Sequence, residues 1–251
     1  MITLVLQSVC TLLLGAFAVL ALLCARRLRS APGDSPSGWW VVGVVFSVYA
    51  ADKALQEVFG IPAFFAGPQA PIWPVYMRIA TMADHSRTFL IYTLYASLAV
   101  LPFRHRLGGL ARPLFVGAIL ATLAAGAALG WFEGAFAPLL HLTRTAEIDV
   151  VGFMALGSTL LFLMLKSDLD RLLWFSVATY GFTSILGVLF LSVLAWKDTS
   201  TWTPAPWTMQ VMRCLFAAIM VYLAAERYRA ARLGRQVRPM LEPVRVPVRT
   251  M

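Results

Sequence analysis

Seven stretches of the chain are continuously apolar, at residues 2–24, 39–60, 79–102, 114–132, 148–165, 172–195 and 207–225, and polar residues gather in the short connections between them. Each is near the roughly 20 residues that a helix needs to cross a bilayer. Runs this long and unbroken suit helices better than the alternating strands of a membrane barrel, and a helix satisfies its own backbone N–H and C=O groups in hydrocarbon. The pattern predicts an all-α integral membrane protein, a seven-transmembrane-helix bundle.

The basic residues between the stretches alternate in number and thereby predict an orientation. Arg26, Arg27 and Arg29, then Arg104, Arg106 and Arg112, then Lys166 and Arg171, and finally seven Arg of the C-terminal tail place fifteen basic residues on one side. The other side has only Arg144 and Lys197. Basic residues near helix ends stay in the cytoplasm, so the N-terminus is expected outside and the tail inside. All eight Trp fall at or just outside segment ends, where the headgroup level favours their amphipathic rings. The Pro residues fall in connections and at ends, with none inside an apolar stretch, which predicts unbroken helices.

Two parts follow from this layout: a membrane domain over 1–225 and a basic cytoplasmic tail over 226–251. The tail begins as a continuation of the seventh helix, is expected to leave helix near Gly234, and then extends past Pro239, Pro243 and Pro247. The first stretch has its basic cluster after the apolar run rather than before it, which reads as an anchor with its N-terminus outside rather than as a cleaved signal. Gly126 and Gly130 form a GxxxG in the fourth stretch, suited to close helix approach within the bundle or between two copies.

Composition agrees with a lipid solvent. Apolar residues make up 60% of the chain and charged ones 13%, with a mean hydropathy of +0.76. The net charge of +9 resides mainly in the tail and inner connections, where anionic lipid is the expected partner and nucleic acid is not. Eighteen Arg against three Lys, with abundant Ala and Leu, fits a GC-rich bacterial genome and an inner-membrane location. Cys10, Cys24 and Cys214 show no spacing for a metal site or a disulfide and read as packing residues.

Charged side chains inside apolar stretches are costly and stand as functional candidates. The second stretch holds Asp52, Lys53 and Glu57, the third and its leading edge Arg78, Asp84, His85 and Arg87, the fifth opens with Asp149, and the seventh has Arg213. All are expected in the outer half of the bundle. At about 1.5 Å per residue, Lys53 lies about 10 Å inside its stretch, Arg87 about 12 Å and Arg213 about 9 Å. The spacings predict pairing of Lys53 with Glu57 and of Asp84 with Arg87, and antiparallel second and third helices bring their charged turns to similar depth. Three readings are open: a salt-bridge network that fixes helix register, an outward pocket for a small or zwitterionic ligand closed by the aromatic-rich connection 61–73, or a proton-sensing site on His85, Asp84 and Asp52.

No spacing calls for a cofactor or a metal, and no nucleophile elbow or Cys/His dyad points to an enzyme. Seven helices with an outer N-terminus resemble the layout of heptahelical receptors and microbial rhodopsins. A retinal protein needs a Schiff-base lysine in its last helix, however, and residues 207–225 contain none. The functional expectation is a sensory or regulatory membrane protein that relays from the outer charged pocket to a cytoplasmic or membrane partner through its tail. The alternatives are a small-molecule or proton-coupled transporter or channel, and a structural subunit of a membrane complex.

Overall fold

The computed structural model describes residues 2–28, 36–101, 104–131 and 206–241, and no strand occurs among them. Four long helices lead the chain: α1 Ile2–Leu28, α2 Pro36–Ala66, α3 Ile72–Val100 and, after a short α4 Arg104–Leu107 and a 3-10 turn Gly108–Leu110, α5 Ala111–Trp131. The last is α6, Pro206–Leu241. The stretches expected at 148–165 and 172–195, Asp149 among them, lie outside the described residues.

Proline explains where several of these helices start. Pro36 and Pro206 open α2 and α6, Pro74 and Pro113 sit in the first turns of α3 and α5, and a first-turn N–H has no intrahelical acceptor to lose. Gly67 explains where α2 stops. Its φ of 84° belongs to the left-handed region that side chains with a Cβ avoid, and its N–H bonds the Ala63 carbonyl at 3.0 Å to close the last turn.

Two helix ends differ from expectation. Pro62 was expected in a connection but lies inside α2, which continues to Ala66. A proline there removes the bond to the Val58 carbonyl, at a cost of about 3 kcal/mol. Packing beyond it makes good that loss: Ala63 is fully buried and the Phe64 ring sits 5.8 Å from Trp73 and 6.4 Å from Tyr76. The connection expected at 61–73 is thus helical apart from Gly67–Pro71. At the other end, α6 does not stop near Gly234 but runs on to Leu241. One helical glycine costs only about 1 kcal/mol, and the flanking Ala, Arg and Leu are good helix formers.

The long helices pack side by side in the order α6, α1, α2, α3, α5. Contacts along each pair give the directions. Leu22 meets Gly43, Phe17 meets Phe46 with ring centroids 5.1 Å apart, and Thr11 meets Glu57, so α1 and α2 are antiparallel. Arg87 meets Gln56 and Tyr76 meets Gly60, which makes α3 antiparallel to α2. Leu6 meets Cys214, Cys24 meets Ala224 and Arg27 meets Tyr228, so α6 runs parallel to α1. Accordingly α5 ends, and α6 begins, at the same end of the bundle.

Small residues set the closest approaches. Ala21, Cys24 and Ala25 of α1 and Ala217 and Ala224 of α6 are all buried, and the Cys24 thiol reaches the Ala224 carbonyl at 3.5 Å. Between α3 and α5, a Cβ on Gly126 would come within 2.5 Å of Ser86 Cα, and the Thr93 and Thr122 hydroxyls bond at 2.6 Å. The first glycine of the GxxxG is therefore spent inside the bundle. Gly126→Ala should lower stability by about 1–3 kcal/mol, because the clash is with backbone and cannot be relieved by a rotamer. Gly117→Ala, where a Cβ meets open space, should cost nothing. Melting of the two variants in detergent checks this; equal melting temperatures would refute the close contact.

Two helical segments, Leu4–Leu28 and Gly108–Ala128, are long and apolar enough to cross a membrane. Their outward faces are apolar too. On α1, Ile2, Val5, Val9, Leu12 and Val19 form an exposed stripe opposite the buried Cys10, Leu14, Phe17 and Ala21. A helix that is apolar all round belongs in a core or in lipid, and exposed large side chains of this kind fit lipid.

Candidate functional site

The polar residues of α2 divide by helical periodicity. Asp52 and Gln56 are one turn apart on the face towards α3, while Lys53 and Glu57, one position on, form a second row towards α1. One helix thus feeds charge into two interfaces at the same depth.

Towards α3, Arg87 Nη1 donates to Gln56 Oε1 at 2.6 Å and pairs with Asp52 Oδ2 at 3.5 Å. Both partners of that ion pair are largely shielded, with side-chain exposures of 12% and 17%. Towards α1, Thr11 Oγ1 donates to Glu57 Oε1 at 2.5 Å and also lies 3.1 Å from the Gln7 carbonyl. The expected partnership of Lys53 with Glu57 is not an ion pair. Glu57 is turned to Thr11, and no carboxylate among the described residues lies within ion-pair distance of Lys53.

Lys53 is nevertheless only 5% exposed. Among the described residues, the charged side chains near enough to act on it are Arg87, Arg213 and Glu57, so two of these three are cations. From α6, Arg213 is itself exposed. Gln210, one turn before it on α6, has its Oε1 buried without a hydrogen bond among the described residues. A buried ammonium and a buried amide oxygen are thus both left wanting, the first an anion and the second a donor. Native proteins leave few such atoms, and each calls for a reason.

Cys10 and Cys214 meet beside Lys53. The Cys214 thiol donates to the Leu6 carbonyl at 3.1 Å, one turn before Cys10 on α1. Each lies eight residues into its helix, which is what parallel α1 and α6 require for contact. Spacing along the sequence had suggested no pair.

Other candidates are placed elsewhere. Arg78 is nine residues, about 13 Å along the axis, from Arg87 and lies over the Trp131 ring of α5 at 5.0 Å. His85 is partly buried, and two positions before Arg87 puts it about 200° round α3 from that residue, on the side of Arg78 rather than of Asp52. Asp84 is on α3 next to His85; its side chain and all of Asp149 are outside the described set. Among the described residues no group of three or more His, Cys, Asp or Glu could hold a metal ion.

Above the cluster, the α2–α3 hairpin is closed by aromatic rings. Phe64, Trp73 and Tyr76 stand edge to face, with Trp73 and Tyr76 centroids 5.7 Å apart. The Tyr76 ring lies over Gly60, where a Cβ would come within 2.9 Å of it. Gly60 is one turn from Glu57, so the rings cap the charged turn of α2. Sequence reasoning did not find Thr11, Gln56 or Gln210. Each is neutral, and neutral residues carry no cost that marks them until the helix facing them is known. No protein-family model and no curated protein matches the chain.

Proposed function

We propose that the chain is a multi-pass sensory or regulatory protein of a bacterial inner membrane, with seven spans, an outer N-terminus and a cytoplasmic tail. In this reading the cluster on α1, α2, α3 and α6 receives a small polar ligand from outside and α6 reports it to a cytoplasmic partner. The carrying observation is that two buried groups, the Lys53 ammonium and the Gln210 amide oxygen, are unmatched among the described residues. A ligand with an anionic group for Lys53 and Arg213 and a donor for Gln210 would satisfy both. Support for the relay comes from α6 itself: one helix of 36 residues, about 54 Å long, carries Arg213 near one end and Arg227, Arg229, Arg232, Arg235 and Arg238 near the other. Support for the orientation comes from the basic residues and from the shared direction of α1 and α6.

Truncation after residue 225 tests the relay. It is expected to abolish complementation of a deletion strain while the shortened protein still reaches the membrane. Full rescue by that truncated chain would remove the relay from the account. A transporter or proton-coupled channel is the second reading, favoured by the same buried Lys53, since buried charges also line permeation paths. It predicts flux in proteoliposomes that depends on Asp52 or Asp84.

A further inference from the structure

A cavity of about 880 Å³ opens at the end of the bundle away from the charged cluster, between the start of α2, the end of α3 and the start of α5. Its size is within the roughly 300–1,000 Å³ of small-ligand sites. The walls are apolar, built on Trp40 and Phe115, whose rings pack at 5.3 Å, with Val100 and Leu107. Its polar lining is sparse. The Thr93 hydroxyl already bonds Thr122, which leaves the Ser37 and Ser97 hydroxyls and the Arg112 guanidinium as its polar side chains.

Arg112 has no ion-pair partner among the described residues, and no Asp or Glu occurs anywhere between residues 85 and 132. Arg104 and Arg106 precede it in the same connection, whose formally charged residues are all basic. Gly108, with a φ of 53°, and Gly109 border the cavity, and a Cβ on either would meet nothing within 4 Å. Beside that opening Leu110 and Leu114 are 65% and 56% exposed, so the cavity adjoins the apolar outer surface rather than water. A long apolar cleft reached from the lipid side, with one unmatched arginine, fits an acyl chain that carries an anionic head.

We propose that this cavity binds an anionic phospholipid of the adjacent leaflet, acyl chain between Trp40, Val100 and Phe115 and phosphate on Arg112. In the orientation given above that leaflet is the cytoplasmic one, where anionic lipids attract basic residues. Full-length protein in detergent micelles is titrated with dioleoylphosphatidylglycerol or dioleoylphosphatidylcholine, and bound lipid is counted by native mass spectrometry. Micelles have no sidedness, so the result is separate from both the orientation and the charged cluster. Phosphatidylglycerol should be retained about fivefold better than phosphatidylcholine, the worth of one basic residue at a lipid surface. Arg112→Gln should erase that preference, Ala96→Phe should lower retention by filling the cavity at unchanged charge, and Arg232→Gln on the exposed α6 should change nothing. Equal retention of the two lipids, an Arg232→Gln loss as large as that of Arg112→Gln, or an Ala96→Phe protein that binds as before would each overturn the site.

Discussion

Arg87→Met should destabilise the protein by about 3 kcal/mol in a reversible detergent unfolding assay. The substitution takes a cation from Asp52 and a donor from Gln56 in a shielded interface, and breaking a buried pair from one side costs about 3–5 kcal/mol because the remaining charge stays in a poor solvent. The lower end of that range applies because both side chains keep some exposure. Asp52→Asn combined with Arg87→Met should regain more than half of the loss, since the leftover charge is then gone. A single Arg87→Met change within about 0.5 kcal/mol of wild type would class the pair with surface ion pairs, whose worth is small.

Lys53→Met should act in the opposite direction and raise stability by about 2 kcal/mol. Methionine keeps the length and most of the volume, removes an ammonium that no carboxylate among the described residues matches, and relieves its repulsion by Arg87 and Arg213. Replacing buried charge by apolar bulk of similar size commonly stabilises by about 1–4 kcal/mol. A residue retained at a cost to folding is a mark of function, so the sign decides between two views of the cluster. If Lys53 were part of a structural network, Lys53→Met would be destabilising, and loss of more than about 1 kcal/mol would establish that.

Among the described residues, the helices are legible in the hydrophobic pattern because each long apolar run needs a helix to satisfy its own backbone. The apolar runs at 2–24 and 114–132 correspond closely to α1 and α5, whose ends are marked by charge and by Gly108. Antiparallel neighbours also place Asp52 and Arg87 at one depth, and they do meet. The misjudged ends have one physical origin. Pro62 and Gly234 are helix breakers by local propensity, and packing of Ala63 and Phe64 in one case and good helix formers around the glycine in the other outweigh them. Pairings inside the site were less accessible. Residues i and i+4 on one helix can pair, but Glu57 has a nearer partner in Thr11, 46 positions away, and only the packing of α1 on α2 reveals it. Cys10 and Cys214 were separable from ordinary packing cysteines by one feature, their equal depth in two helices that run in the same direction.

In the proposed function the charged cluster receives a ligand. The most direct test of this is thermal melting of wild type and of Lys53→Met in detergent across pH 5 to 8, with and without a library of small anionic and zwitterionic compounds. Wild type should be stabilised by at least one compound, or shift with pH, while Lys53→Met melts higher and responds to none. Melting curves of wild type that respond to no compound and no pH, beside a Lys53→Met protein that is simply less stable, would contradict the claim and leave the cluster as scaffolding.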